Sequence, residues 1–171
     1  MFEILADYLK LVNKVEAFLA RVKEKFGSEI HCQVGCTDCC QQEFGIFPIE
    51  AYYLWQGWPK SIEKESGKCP LLKENLCLAY SFRPLICRTQ GYPLWSREGE
   101  KEGYPLITVC PKNFSKYDLN ALPSEYVLNL DLMNKILASI NYLFVKKYHL
   151  DLPLRLKISE IPNFKEIFSR L

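Results

Sequence analysis

Cys32, Cys36, Cys39 and Cys40 fall within nine positions, and Cys69, Cys77, Cys87 and Cys110 follow, so seven of the chain's eight cysteines lie between residues 32 and 87. Whatever fold these 171 residues adopt must account for those thiols. Small secreted domains use dense cysteines as disulfide staples because they cannot bury enough core. Here 49% of the residues are hydrophobic, and a chain of this length buries roughly 70% of its unfolded surface without staples. The opening Met-Phe-Glu-Ile-Leu-Ala-Asp has acidic residues in its apolar stretch and no basic leader, so it reads as neither a signal nor a transit peptide. A cytoplasmic location is expected, where thiols stay reduced and clustered cysteines read as metal-binding or catalytic. Adjacent Cys39 and Cys40 bond each other only in a strained geometry. Metal ligation is therefore the expected use of the cysteines.

The first four read Cys-x3-Cys-x2-Cys-Cys. Two or three residues between thiolates let a chain curl round one centre with backbone N–H groups facing the sulfurs. All eight, Cys32, Cys36, Cys39, Cys40, Cys69, Cys77, Cys87 and Cys110, are candidate metal ligands. Zinc favours four N or S ligands from paired Cys-x2-Cys knuckles, and only Cys36 and Cys39 have that spacing. The x3-then-x2 run suits an iron–sulfur cluster, while eight thiolates also suffice for two zinc ions. Both cofactors stay open, with the balance slightly toward iron–sulfur. His31 and His149 are expected to be solvated. Arg83 and Arg88 flank Cys87 and are placed to offset the negative charge of a thiolate centre. Tyr52, Tyr53, Trp55, Trp58, Tyr92 and Trp95 are expected to exclude water, with ordinary core packing an equal explanation. Successive side chains of an extended segment point to opposite sides, so Cys39 and Cys40 are expected to diverge. In a two-centre arrangement Cys77 and Cys87 would be the remote partners, with Arg83-Pro84 fixing a turn between them.

The flanks look regular. Leu5, Tyr8, Val12, Val15, Leu19, Val22 and Phe26 step by three and four, with Ile4, Leu11 and Phe18 widening the stripe. The lysines and Arg21 lie off it, which predicts an amphipathic helix over 2–26 stopped by Gly27-Ser28. Tyr126, Leu130, Met133, Leu137, Ile140 and Phe144 repeat the pattern and predict a second helix over about 123–148. The two stripes are expected to meet within one chain; the alternative is a homodimer seam on the N-terminal helix. Between them come a brief strand near Glu43–Phe47, a helix opened by Pro48 with Glu50 and closed near Gly57, and loops over 60–118 punctuated by glycines (Gly67 among them) and prolines. An extended piece over 152–158 and a closing helix around 163–170 finish the chain. A loop-rich stretch that long needs an organiser other than hydrophobic packing. The expected fold is mainly α, a single domain over 1–171. It divides into an N-terminal helix (1–28), an irregular cysteine-cluster region with at most short β pieces (29–118), and a helical C-terminal region (119–171).

Lys plus Arg number 22 against 20 for Asp plus Glu, so no electrostatic footprint for nucleic acid is expected. No window reaches about eighteen uninterrupted apolar residues, so no membrane span is expected.

Cys32 to Cys40, Cys69-Pro70-Leu71-Leu72, Cys77, Tyr80, Arg83-Pro84, Cys87-Arg88 and Cys110-Pro111 together resemble the CxxCxxCC cysteine-cluster family over roughly residues 30–112. The usual x2 before the second cysteine is stretched here to x3. The resemblance implies zinc or iron chelation more than a reaction. Flagellin lysine methylase, a larger relative, has a similar region, which implies S-adenosylmethionine-linked methyl transfer as an enzyme alternative. The chain shows no Gly-rich strand–helix loop and no run of βα units for the nucleotide. The x3–x2 spacing is also similar to that of radical S-adenosylmethionine enzymes, whose βα barrel has no counterpart in this pattern. A redox enzyme using the centre is a further alternative. A metal-free thiol redox role would rest on Cys36-Thr37-Asp38-Cys39, where Asp38 disfavours a neighbouring thiolate.

Overall fold

A computed structural model describes residues 2–60 and 68–171; the part of the expected loop region that includes Gly67 lies outside the described residues. Helix α1 (Phe2–Phe26) has the predicted bounds. Tyr8, Leu11, Val12, Val15, Leu19, Val22 and Phe26 are buried, and Lys10, Lys14, Arg21, Lys23 and Lys25 are exposed. Glu3 in the first turn and Lys23 and Lys25 in the last complement the helix dipole. A 3-10 turn at Gly27–Glu29 ends the helix.

Helix α2 (Pro48–Gln56) opens as expected, with proline at its first turn and Glu50 reaching back. Glu50 is buried, yet its carboxylate has two partners: the Phe47 N–H donates to Oε2 at 3.1 Å and the Leu85 N–H to Oε1 at 2.9 Å. One side chain thus caps α2 and fastens it to the start of α3 (Leu85–Thr89). Gly57 caps the end of α2 and packs under the Phe82 ring, where a Cβ would run into that ring.

The second long helix, α5, spans Leu130–Lys147, later than the expected start. Pro123 leads instead into a 3-10 turn at Ser124–Tyr126, and the chain then runs extended through Leu128–Asn129. The Asn129 side chain accepts from the Leu132 N–H at 2.8 Å and caps the helix where it does begin. Tyr126, the first member of the predicted stripe, packs its ring edge-on at 5.2 Å from Phe26. From Met133 to Phe144 the stripe behaves as expected, packing against α1 and α2 in one buried cluster. The α1 stripe is therefore taken up within the chain, and the dimer seam loses the face it required. The buried Asn141 on α5 accepts from the Ile49 N–H at 3.1 Å, satisfying the start of α2. A second cluster joins Val22, Phe26 and Ile30 to Phe114 and Leu122, and Phe18 and Tyr92 touch both clusters.

The strands among the described residues are two residues each. β1 (Gly45–Ile46) pairs antiparallel with β7 (Leu156–Lys157), so the expected extended piece pairs only near its end before a 3-10 turn begins at Ile158. β2 (Leu72–Lys73) and β3 (Leu76–Cys77) form a hairpin whose turn residues, Glu74 (φ 50°) and Asn75 (φ 61°), both lie in the left-handed region that tight hairpins require. β4 (Leu94–Trp95) lies between antiparallel β5 (Ile107–Thr108) and parallel β6 (Leu128–Asn129). A short α4 (Arg97–Lys101) precedes β5, and α6 (Lys165–Phe168) closes the chain. The architecture is mainly α, with short β pieces confined to the middle and the end. No helix among the described residues is long and apolar enough to cross a membrane.

Candidate metal centre

All eight cysteines carry free thiols; Cys32 is exposed and the other seven are half-buried. Three pieces of chain bring one group together. Cys39 and Cys40 sit in a 3-10 turn, Asp38–Gln41. The Cys69 N–H donates to the Cys40 carbonyl at 2.9 Å, docking the next cysteine on that turn. The β2–β3 hairpin carries the chain from Cys69 to Cys77, and α3 presents Cys87. The N–H groups of Leu71 and Ala79, each two residues ahead, favour the thiolates of Cys69 and Cys77. Cys69, Cys77 and Cys87 also pack against the main hydrophobic cluster.

Electrostatics mark the same group. Burial pushes the Cys87 thiol well up, and the charges of Cys69, Cys77, Glu50 and Cys39 add to it. Burial likewise raises Cys69 and Cys77, with Cys39 contributing to both. Cys39 runs the other way: a hydrogen bond from the Cys40 thiol is the main cause, lowering it to about 6, with Arg83 assisting. Cys40 is correspondingly raised, held protonated as the donor. The divergence expected for Cys39 and Cys40 assumed extended chain. In a 3-10 turn successive side chains are about 120° apart, and these two thiols meet.

Cys32 has neighbours of its own. It is raised chiefly by burial, then by the charges of Cys110, Cys36 and Cys39, against a hydrogen bond from Asn113. That amide donates to Cys32 Sγ at 3.3 Å. Cys39 thus lies within electrostatic reach of Cys32 as well as of Cys69, Cys77 and Cys87.

The two arginines separate in role. Arg83 stacks on the Tyr80 ring, 3.5 Å from its centroid, and its charge favours the thiolates of Cys39 and Cys77. Arg88 turns away from the sulfurs. Its buried guanidinium pairs with Glu16 on α1 at 2.6 Å and donates to the carbonyls of Arg83 (2.7 Å) and Ser81 (2.6 Å). Of the expected aromatic shield, Tyr92 is close enough to Cys32 to feel its charge. Tyr52 packs against Phe144 and Phe168, Tyr53 against Tyr8 and Phe82, and Trp55 on Trp58, which is core packing. His31 is exposed and offers only its backbone N–H, to Asn113 Oδ1 at 2.8 Å. His149 is exposed just beyond α5.

Zinc and iron both suit this donor set of reduced sulfurs, and the Asn113 amide aimed at Cys32 is the kind of partner a metal-bound thiolate uses. As the side chains stand, no three Cys, His, Asp or Glu groups among the described residues are placed to hold one ion. Ligation therefore calls for rotation of cysteine side chains between staggered wells. Sequence reasoning missed Glu16, Gly91 and Asn113, and read Glu50 only as the acid of a helix start. Glu16 is an ordinary polar-face position of a helix, and nothing local marks it. Asn113 carried a faint signal, standing three residues beyond Cys110 in Cys-Pro-Lys-Asn.

Residues 31–111 match the CxxCxxCC family model, described as "Putative zinc- or iron-chelating domain". No curated protein and no solved structure matches the chain.

Proposed function

We propose that this chain, whose residues 31–111 match the CxxCxxCC family model, holds zinc through Cys39, Cys69, Cys77 and Cys87 in a closed, non-catalytic centre. The supporting observation is that three separate pieces of chain, a 3-10 turn, a hairpin and α3, bring these thiols within reach of one another's charge. A metal bound there supplies the cross-link that fastens those pieces together. The protein's own groups do the rest. The N–H groups of Leu71 and Ala79 favour the thiolates of Cys69 and Cys77. The Cys40 thiol donates to Cys39, and the Arg83 cation offsets the net negative charge of four thiolates round a divalent ion. Zinc is preferred to iron–sulfur because these four thiols come from three separate pieces of chain rather than from the one consecutive run that suited a cluster.

The test is anaerobic purification with elemental analysis and a visible spectrum, applied to the wild type, Cys39→Ser and Cys40→Ser. A colourless zinc protein is expected, with Cys39→Ser losing the metal of this centre and Cys40→Ser retaining it. Stoichiometric iron with broad visible absorbance would replace zinc by an iron–sulfur cluster. Full metal content in Cys39→Ser would overturn the ligand assignment.

A further inference from the structure

Helix α5 keeps one face that the chain's own core does not take up. Leu132, Ile136, Ser139 and Leu143 recur at steps of four and three, so they form one stripe along the helix. Leu132, Ile136 and Leu143 are 55%, 42% and 53% exposed, and Tyr142, exposed as well, stands on one flank of the stripe beside Lys135. Helix α5 thus supplies four of the eleven large hydrophobic side chains that stand exposed among the described residues, where a water-facing helix face ordinarily carries polar ones. The two ends of the stripe differ in charge. At its start Asp131 ties α5 to α4 through the Arg97 and Glu98 N–H groups, and Glu98, Glu100, Glu102 and Asp131 outnumber Arg97 and Lys101 there. At its end stand Lys146 and Lys147, lining a hollow with Leu143, Ile4 and Glu3, while Asp7 beside them is engaged by Lys10 at 2.9 Å.

We propose that two copies of this chain meet on that face, their α5 helices antiparallel across a two-fold axis that passes between Ile136 and Ser139. A two-fold contact is self-complementary: residue i meets residue j, and j meets i. The stripe has that property, with Leu132 set against the partner's Leu143 and Ile136 against the partner's Ser139, a large side chain over a small one at the crossing point. The charges choose the antiparallel sense. It lays Lys146 and Lys147 over the acidic end of the other copy, twice per dimer, and opposes the two helix dipoles. Lys135 comes beside the ring of the partner's Tyr142. A parallel pair would set lysines against lysines and carboxylates against carboxylates. The same pattern disfavours other covers, since an anionic membrane surface or an acidic helix would attract the lysines but meet the carboxylates at the far end. The α1 stripe, buried within the chain, takes no part, and the contact is independent of the thiols. Two helices of 18 residues run about 27 Å in contact. That length places the interface at the small end of specific ones, near about 1,200 Å², so association is reversible.

The full chain, kept in reductant to exclude disulfide-linked pairs, is followed by sedimentation equilibrium over a concentration series. The wild type should pass from monomer to dimer, and association should weaken as salt is raised. Ile136→Asp, exposed and beside the axis, should weaken association at least about tenfold with circular dichroism unchanged. Lys146→Glu with Lys147→Glu should weaken it about tenfold, and adding Glu98→Lys with Glu100→Lys should restore it to within about threefold. A monomer at every concentration, including one that binds anionic vesicles through this stripe instead, would overturn the proposal. Dimers that survive Ile136→Asp, or that the paired reversal does not restore, would place the contact elsewhere and overturn it as well.

Discussion

Arg88 and Gly91 shape the thiol-bearing part of the chain by opposite means, one by filling space with charge and the other by leaving it empty. The Arg88 side chain is only 8% exposed, against 42% for its partner Glu16. Two carbonyl acceptors complete its bonding. Replacing Arg88 with Met strands those carbonyls and should cost about 2–3 kcal/mol in urea melts. Glu16→Gln, at a half-exposed position, should cost less than about 1 kcal/mol. Equal losses would show that the ion pair, rather than the carbonyl bonds, carries the clamp. Gly91→Ala meets both a positive φ and the Cys32 sulfur and should cost at least about 1 kcal/mol in thermal melts; a neutral result would contradict the close approach of Cys32 to Gly91. The cysteines themselves were legible in sequence because their spacing is chemical. These supporting residues were not, because a buried amide or glutamate is recognised only by what it touches.

At the scale of elements, the sequence pattern succeeded where one period ran uninterrupted. α1 kept its predicted bounds over 25 residues, and α2 started at its proline. The second long helix began late because Tyr126 matched the stripe by spacing while Pro123 and the β4–β6 pairing determined the backbone. The short strands could not be read beforehand, since two-residue pairings carry no periodicity. Deleting residues 1–26 should expose the faces of α2 and α5 that α1 covers and cause aggregation; a well-behaved truncated monomer, by light scattering, would show that α1 serves another purpose. Asp131 ties α5 to α4, accepting from Ser96 Oγ (2.6 Å) and from the Arg97 and Glu98 N–H groups (2.8 and 3.3 Å). The Ser96 hydrogen bond is the main cause of a carboxyl pKa below the ordinary 3.8. Its contribution to stability is complete above that ordinary value and disappears as pH falls through the lower folded value. Asp131→Asn should therefore flatten the acid limb of the stability–pH curve; an unchanged limb would show that the contact contributes nothing to stability.

For the whole molecule, two buried clusters support the flanking helices, while the middle of the chain is joined by turns, two-residue strands and thiols. That contrast was visible in the glycine and proline spacing. The approach of Cys39 to Cys69, Cys77 and Cys87 was not, because it depends on a 3-10 turn at Cys39–Cys40 and on a hairpin of two-residue strands. Metal in small zinc domains contributes about 10 kcal/mol or more, so strong chelation should remove near-UV circular dichroism from the middle region while the helical far-UV signal partly persists. The most direct test is to count reactive thiols and bound metal together on anaerobically purified protein, before and after chelation. The account predicts bound metal with few reactive thiols at first, and all eight cysteines reacting once the metal is gone. Metal-free protein whose thiols all react at once, with no change on chelation, would contradict it.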